Sequence, residues 1–290
     1  MEKIATPTGL IKKIFPPKDV SVRKTAIIYM GRRVPLLVLQ PVTAPKQKTA
    51  GILWIHGGGY MVGMKEMVYM SRSIDLVRKF GVTVVSPGYR LAFTAPYPAA
   101  LKDCYGALLY LKKHAAVLHV REDQIMVGGE SAGGGLAAAL CMLARDKGTV
   151  KIAYQMPLYP MLDCQDTDSS RNNHGRVWNT RRNHLGWKMY LRKRSGSTAS
   201  PYASAARQTD YTGLPPAYTF VGDGEPFLDE TVNYIENLRQ AGIEAEMDIY
   251  HSNIHAFDMI YPDLEISHQA IEKFEEHFAD ALTHFHAPQT

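Results

Sequence analysis

The sequence predicts an α/β fold in which a mostly parallel, twisted sheet carries helices on both faces. Between residues 51 and 284, short apolar runs alternate with stretches of helical periodicity, and this alternation is typical of a parallel sheet covered by helices. The apolar runs are continuous, as expected of strands that are buried on both faces. A chain of 290 residues can form one such unit, so we predict a single domain over residues 1–290.

An antiparallel hairpin is predicted to open the fold. Residues 26–30 and 34–39 have strand character, and Gly31-Arg32-Arg33 between them fits a hairpin turn. The strands predicted after the hairpin are 51–55, 82–85, 124–127, 152–158, 217–221 and 245–250.

The predicted helices lie between these strands. The helix at 66–80 has apolar residues on one face and is followed by Gly81, a typical helix stop. The others are 98–118, 136 to about 146, 184–194, 228–240 and 266–284. Residues 163–210 interrupt the alternation with a long polar stretch, which we interpret as a cap or lid insertion.

Composition excludes several classes of function. The hydrophobic fraction of 46% and the charged fraction of 21% are ordinary for a globular protein. The net charge of +5 comes with no basic–aromatic module, so no nucleic-acid partner is predicted. We see no signal peptide and no apolar run long enough to cross a membrane, so no membrane partner is predicted.

The cysteines point to a reducing compartment. Cys104, Cys141 and Cys164 are odd in number and have no metal-binding spacing, which argues against a disulfide framework and a zinc site. We therefore predict a cytoplasmic protein with no metal and no cofactor. The oligomeric state, including a homodimer, is left open.

The stretch Val127–Gly134 follows a predicted strand and precedes a predicted helix. Within it, Gly129-x-Ser131-x-Gly133 fits the nucleophile elbow, in which a serine lies on a strained turn at the positive end of a helix. The flanking glycines let that turn close without Cβ clashes. Ser131 is thus a candidate nucleophile, with an ordinary glycine-rich turn as the alternative.

A second glycine-rich loop, His56-Gly57-Gly58-Gly59, follows the strand at 51–55. Glycine lets main-chain N–H groups point at a negatively charged oxygen with no side chain in the way. We predict an oxyanion hole formed by the N–H groups of Gly57, Gly58 and Ala132, with His56 and Gly59 supporting the loop. A flexible turn is the alternative.

A serine nucleophile needs a base, and candidates follow two later strands. His251 and His255 come after the strand at 245–250, and catalytic groups gather beyond the carboxyl ends of parallel strands. His255 is preferred because it lies farther along the loop. Asp223 and Glu225 follow the strand at 217–221, and both stay open as the acid.

These motifs together resemble the hormone-sensitive-lipase-like branch of the α/β-hydrolases, the microbial carboxylesterases with an HGGG loop. The resemblance implies the α/β-hydrolase fold and a triad in the order serine, acid, histidine. It maps the acid onto Glu225, since the family usually has Asp-Pro-Leu where this chain has Glu225-Pro226-Phe227. The matching motifs are 56–59, 89–92, 97–104, 129–134, 159–163, 213–217, 225–230 and 255–257.

The chain departs from the family pattern in two places. Gly88 and Phe93-Thr94 stand where the family commonly has Asp and Pro-Glu, so we expect altered support behind the oxyanion loop. Residues 1–20 are shorter than the usual helical cap, so residues 163–210 would supply most of the lid. For the substrate pocket we predict Tyr60, Met61 and Trp187, with Trp178 and Trp187 either at its entrance or in the cap core.

The resemblance leads to a specific function. We predict a serine carboxylesterase that hydrolyses short acyl esters, acetyl to about hexanoyl, through a Ser131–His255–Glu225 triad and an acyl-enzyme, so the partner is a small-molecule ester. Activity on acetylated sugars and a non-catalytic ligand-binding role are the alternatives. A basic stretch could steer anionic esters or form a solvated helix face: Arg171, Arg176, Arg181, Arg182, Lys188, Arg192, Lys193 and Arg194.

Overall fold

A single eight-stranded sheet organises the chain in the computed structural model, which describes residues 15–192 and 199–289. The strand order is β1-β2-β4-β3-β5-β6-β7-β8, antiparallel for β1–β2 and β2–β4 and parallel elsewhere. The strands are β1 (Val20–Tyr29), β2 (Arg32–Pro41), β3 (Thr49–Ile55), β4 (Thr83–Pro87), β5 (Val120–Glu130), β6 (Tyr154–Leu158), β7 (Ala217–Gly222) and β8 (Ala245–Tyr250). The predicted fold class and N-terminal hairpin are confirmed.

Helices cover both faces of this sheet. They are α1 (Arg72–Phe80), α2 (Ala99–Lys113), α3 (Ala132–Lys147), α4 (Asp168–Arg171), α5 (Thr180–Leu191), α6 (Leu228–Gln240), α7 (Phe257–Ile260) and α8 (Glu265–His284), with 3₁₀ helices at Lys65–Met70 and Ala205–Arg207. Side chains of α2, α3 and α6 form one core, and side chains of α1 and α8 form the other.

Strand β3 explains why the central strands read as continuous apolar runs. Ile52 and Trp54 point into the core beneath α1 and α8, whereas Leu53 and Ile55 point into the core beneath α2, α3 and α6. Successive side chains of a strand face opposite sides of the sheet. Because both sides are covered, apolar residues are favoured at successive positions of such a strand.

The predicted helix at 66–80 is wrong as a single element. The structure has a 3₁₀ helix up to Met70 and a separate helix α1 from Arg72, with Ser71 in extended conformation between them. The Ser71 hydroxyl donates to Val68 O at 3.0 Å and accepts from Ser73 N at 3.2 Å. A serine that bonds to nearby backbone in this way ends one helix and caps the next.

Residues 163–210 carry α4, α5 and the second 3₁₀ helix. Two predictions concern segments that lie partly outside the described residues. Residues 1–14 of the N-terminal cap segment are not described, and neither are Lys193 and Arg194 of the basic stretch. Among the helices that the structure describes, none has the length and apolar character needed to span a membrane.

Candidate active site

Ser131 lies on the sharp turn between β5 and α3. Its backbone has φ 57° and ψ −120°, a left-handed conformation that side chains rarely adopt, as the elbow pattern predicts. The turn packs against the end of β3, where a Cβ on Gly129 or Gly133 would lie 2.4 or 2.0 Å from Ile55 O. The glycines of the motif are therefore required by close backbone packing.

The structure brings Ser131, His255 and Glu225 into one hydrogen-bonded chain. Ser131 Oγ lies 2.8 Å from His255 Nε2, and His255 Nδ1 contacts Glu225 Oε2. The other carboxylate oxygen of Glu225 accepts a hydrogen bond from Gly222 N at 2.7 Å. All three side chains are buried. Because Nδ1 donates to the carboxylate, Nε2 is left as the acceptor for the serine hydroxyl.

The rival acid, Asp223, has a different partner. Its carboxylate binds His251 Nδ1 at 2.7 Å and accepts from Ser252 N at 3.0 Å at the protein surface. Hydrogen bonding to Asp223 raises the pKa of the exposed His251. Asp223 and His251, the other candidates for the acid and the base, thus form a separate pair at the surface. Asp229, a third carboxylate after β7, accepts a hydrogen bond from Ser169 N at 2.8 Å and joins α6 to α4.

Two aromatic rings hold the His255 imidazole from its sides. Tyr159 and Phe227 meet it edge-on, with ring centroids 5.2 and 5.0 Å away. Both rings are fully buried. The orientation of the imidazole is therefore set by packing as well as by its hydrogen bonds.

The loop after β3 lies against the nucleophile. A Cβ on Gly57 would lie 3.2 Å from Ser131 Cβ, and Gly58 has φ 115°. Gly58 O accepts from Met61 N and Val62 N, each at 3.0 Å. Within the described residues, the N–H groups of Gly57 and Gly58 have no protein acceptor, and Ala132 begins helix α3. These N–H groups are available to a ligand beside Ser131.

His56 and Tyr89 support that loop. His56 Nδ1 donates to Gly57 O at 2.8 Å, and its ring stacks on Tyr89 at 4.2 Å. The Tyr89 hydroxyl donates to His56 O at 2.9 Å. Burial lowers the pKa of His56 to about 4, so the imidazole is neutral at pH 7 and suited to holding the loop.

The segment that departs from the family pattern is fixed by other contacts. Gly88 N donates to Pro35 O at 2.8 Å. Arg90 makes a two-pronged ion pair with Asp103, with both contacts at 2.8 Å, and its backbone N–H also donates to that carboxylate at 2.9 Å. The Arg90–Asp103 pair joins this segment to α2.

A cavity of about 310 Å³ opens in front of Ser131. Its side chains are mostly apolar, and they come from the 3₁₀ helix before α1, the segment before α5, and the loop and helix after His255. The lining residues are Gly57, Gly58, Gly59, Met67, Met70, Glu130, Ser131, Tyr159, Val177, Trp178, His255, Ala256, Met259 and Ile260.

Comparison with known proteins identifies the family. A model of the alpha/beta hydrolase fold family matches residues 52–259, which is most of the chain. The chain belongs to the α/β-hydrolase family. The bacterial heroin esterase structure superposes with a TM-score of 0.86 at 32% identity, covering 91% of this chain and 85% of that one.

Several curated relatives of this α/β-hydrolase are named as ester hydrolases. The carboxylic ester hydrolase LipN of Mycobacterium tuberculosis is 32% identical to this chain over a match that covers 71% of the chain. The same match covers 56% of the length of LipN, so this chain spans only part of that relative. The arylesterase of Saccharolobus solfataricus is 28% identical over 86% of this chain and 81% of its own. The predicted family resemblance is confirmed. The predicted enzyme class, carboxylic ester hydrolase, agrees with the names of these relatives.

The predicted pocket residues do not line the cavity of this α/β-hydrolase. Tyr60 is buried, donates to Met161 O at 2.9 Å and stacks on Tyr190 at 4.0 Å. Trp187 packs on Tyr60 in the core, with centroids 5.3 Å apart. Met61 is also absent from the lining. For Tyr60 and Met61, position in sequence next to the HGGG loop is a poor guide, because both side chains are buried away from the cavity.

A buried cluster of ionisable side chains behind Ser131 was missed by sequence reasoning. Glu130 Oε1 accepts from Trp54 Nε1 at 2.8 Å, and burial raises the pKa of Glu130 to about 8. Nearby, Arg72 Nε lies 3.1 Å from Asp258 Oδ2, and both side chains are buried. The sequence signals this cluster only by two acidic residues at unusual positions. Glu130 lies inside the elbow motif, and Asp258 follows His255 by three residues.

Proposed function

We propose that this protein is a serine carboxylesterase that hydrolyses short acyl esters through a covalent acyl-enzyme. The observation that carries the proposal is the chain of contacts from Ser131 Oγ through His255 to Glu225. Gly57 and Gly58, whose N–H groups have no acceptor among the described residues, line the same cavity. A nucleophile, a base with its orienting acid, and donors for an oxyanion are the parts that acyl transfer requires.

The first half-reaction acylates the serine. Ser131 Oγ attacks the ester carbonyl carbon while His255 Nε2 takes the hydroxyl proton. The carbonyl oxygen becomes negative and receives hydrogen bonds from the N–H groups of Gly57, Gly58 and Ala132. The carbon–oxygen bond to the alcohol then breaks, and His255 donates its proton to the leaving oxygen.

The second half-reaction restores the enzyme. Water attacks the acyl carbon as His255 takes a proton from it, and the same main-chain donors stabilise the second tetrahedral intermediate. The carboxylic acid leaves as Ser131 Oγ recovers its proton from His255. Throughout, Glu225 fixes the imidazole tautomer and stabilises its charged form, while its link to Gly222 N holds the carboxylate in place.

Cavity size and lining support a small apolar ester. Ligand pockets in proteins typically span about 300–1,000 Å³, and this cavity lies at the small end at about 310 Å³. A relative from Pseudomonas putida is named an ethyl acetate hydrolase, at 27% identity over 78% of this chain. We therefore infer a preference for acyl groups from acetyl to about hexanoyl.

Substitution of the candidate triad tests the mechanism. We expect Ser131→Ala to lower kcat by roughly 10⁶-fold and Glu225→Gln by about 10⁴-fold, because an amide holds the wrong imidazole tautomer. The matched control is Asp223→Asn, which should leave kcat unchanged since Asp223 binds His251 at the surface. The measurement is kcat on aryl esters from acetyl to decanoyl and on acetylated sugars.

Covalent labelling separates an esterase from a non-catalytic ligand-binding protein. An aryl phosphonate should modify Ser131 in the wild-type protein and leave Ser131→Ala unmodified, as measured by intact-protein mass spectrometry. A wild-type protein that stays unlabelled and hydrolyses none of the esters would refute the proposed function. Loss of activity in Asp223→Asn alone would move the acid role to Asp223.

A further inference from the structure

Trp178 occupies a slot between two glycines at the edge of the cavity. A Cβ built on Gly59 would lie only 2.1 Å from Trp178 Cη2, and one on Gly186 would lie 3.5 Å from Cζ2. Gly59 belongs to the oxyanion loop, and Gly186 lies on α5. The missing side chain at Gly59 thus admits the indole ring, which rests directly on the loop that faces Ser131.

The indole is held in this slot by further contacts. Its Nε1 donates to Asn183 Oδ1 at 3.3 Å, and Asn183 is buried on α5. The ring also lies 6.5 Å from the ring of Phe227, which packs on His255. A large planar side chain fixed by a hydrogen bond and by packing on two elements cannot easily move aside.

Trp178 differs in rigidity from the apolar side chains around it. Among the described residues of the 163–210 segment, only Val177 and Trp178 line the cavity. Much of the remaining apolar wall consists of Met67, Met70 and Met259, whose unbranched side chains adapt to the shape of a ligand. A longer ligand can displace methionines, whereas the anchored indole stops it.

We propose that Trp178 is a specificity-determining residue that limits the length of the hydrocarbon chain of the ester. The inference rests on the proposed esterase function and names the side chain that sets its substrate range. The indole forms part of the cavity wall, so a chain that is too long for the cavity must expose methylene groups to water or displace the ring. Shortening this side chain extends the cavity towards α5 while the contacts of Ser131, His255 and Glu225 stay in place.

Trp178→Ala and Trp178→Leu test the proposal, and Trp178→Phe is the conservative variant. The substrates are aryl esters with acyl chains from acetyl to dodecanoyl, and alkyl acetates with alcohols from ethyl to decyl. We expect Trp178→Ala to raise the ratio of kcat/KM for decanoyl over butanoyl esters at least tenfold, since one methylene group in an apolar pocket can change kcat/KM by about tenfold or more. Trp178→Phe should stay close to the wild-type profile.

The two substrate series show which part of the ester meets the indole. A shift confined to the acyl series places the acyl chain against Trp178, and a shift confined to the alkyl acetates places the alcohol there; either supports the proposal. The matched control is Trp187→Phe, a buried tryptophan that does not line the cavity and should leave both profiles unchanged. Melting temperature and phosphonate labelling report whether each variant is folded and retains a reactive Ser131.

Two results would overturn the proposal. One is an unchanged chain-length profile in folded, labelled Trp178→Ala and Trp178→Leu. The other is an equal loss of kcat/KM at every chain length, which is the effect of a merely structural residue. Both results require an active wild-type protein, so they differ from failure of the esterase function, in which the wild-type protein hydrolyses no ester at all.

Discussion

At the scale of single residues, the geometry at Ser131 depends on small neighbours more than on the serine. The strained φ of 57° is tolerated because Gly129 and Gly133 let the turn press against Ile55 O. Backbone strain of this kind costs about 1–3 kcal/mol and persists only where the surroundings enforce it. The turn at Ser131 was therefore predictable from the sequence, because the backbone contacts of the turn require glycine at positions 129 and 133.

The choice between Glu225 and Asp223 shows where residue-level prediction stops. Both carboxylates follow the same strand and lie two residues apart, so neither spacing nor strand position separates them. The structure turns Glu225 inward, where it is fully buried against His255, and leaves Asp223 at the surface with His251. Family resemblance favours Glu225, the carboxylate that lies against His255, whereas the residues alone do not separate the two.

The buried Glu130 carboxyl leads to a prediction about pH and stability. Burial raises the pKa of Glu130 from about 4.5 to about 8; the negative charge of Asp258 adds to this shift, while Arg72 and the Trp54 hydrogen bond oppose it. Between these two values the folded protein keeps a proton that the unfolded chain has lost. The free energy of unfolding should therefore fall as pH rises from about 5 to 8, by about 1.4 kcal/mol per pH unit for this one group.

Glu130→Gln provides the test because an amide oxygen can still accept from Trp54 while the titration is removed. Urea unfolding of both proteins at pH 5, 6, 7 and 8 cancels the contributions of the other groups in the difference. The stability of the wild-type protein relative to Glu130→Gln should decline steadily over this range. Parallel curves would mean that Glu130 does not hold its proton in the folded state.

At the scale of elements, the serine-to-helix turn and the main strands were predicted well, but the edges of helices were not. Continuous apolar runs identify strands that are buried on both faces, because a polar residue there needs a hydrogen-bond partner, as Gln155 and Thr219 have. The break at Ser71 was missed because apolar periodicity continues across it, from Met70 to Ile74. The first helix ends because the Ser71 hydroxyl donates a hydrogen bond to Val68 O. A pattern of apolar residues carries no information about such a bond.

The Arg72–Asp258 ion pair joins two elements that periodicity treats as independent. Arg72 is the first residue of α1, and Asp258 lies in α7, just after the loop that carries His255. Removing one partner of a buried pair leaves an uncompensated charge and costs about 3–5 kcal/mol. We therefore expect Arg72→Met to lower the free energy of unfolding by an amount of this order. Asp258→Asn should cost less, because Arg72 Nη1 also pairs with Asp75 at 3.2 Å.

A double-mutant cycle measured by urea unfolding checks this coupling. The double variant Arg72→Met/Asp258→Asn should lose clearly less than the sum of the single losses, because no unpaired full charge remains. The matched control is Arg78→Ala, which breaks the exposed pair between Arg78 and Asp19 and should cost less than about 1 kcal/mol. Additive losses at Arg72 and Asp258 would show that the two side chains do not interact.

At the scale of the whole molecule, the order of strands and helices was readable from the sequence, but the cavity was not. A parallel sheet places the ends of β3, β5, β7 and β8 at one edge, and this placement unites the loops that carry the candidate site. The cavity wall is different, because its side chains come from separate helices and loops whose packing is decided by tertiary contacts. Trp178 lines it and Trp187 does not, although the two lie in the same stretch of sequence.

The charge distribution over the molecule gives the last prediction. Arg176, Arg181 and Lys188 are exposed on the 163–210 segment, and Arg176 directly precedes Val177 and Trp178 in the cavity wall. Within the described residues, these three side chains form no ion pair, unlike Arg171, which binds Asp168 at 2.9 Å. A positive surface beside a site attracts anionic ligands over a distance that salt shortens, from about 30 Å at 0.01 M to about 3 Å at 1 M.

We therefore expect kcat/KM for an anionic ester, such as an aryl hemisuccinate, to fall several-fold across that salt range, while a neutral ester of equal size changes little. Arg181→Gln/Lys188→Gln should reduce kcat/KM for the anionic ester at low salt and leave the neutral ester unaffected. The control, Lys273→Gln, removes a positive charge from α8, where Lys273 already pairs with Glu276. A rate ratio between the two esters that is independent of salt would show that the basic segment is a solvated surface without influence on the substrate.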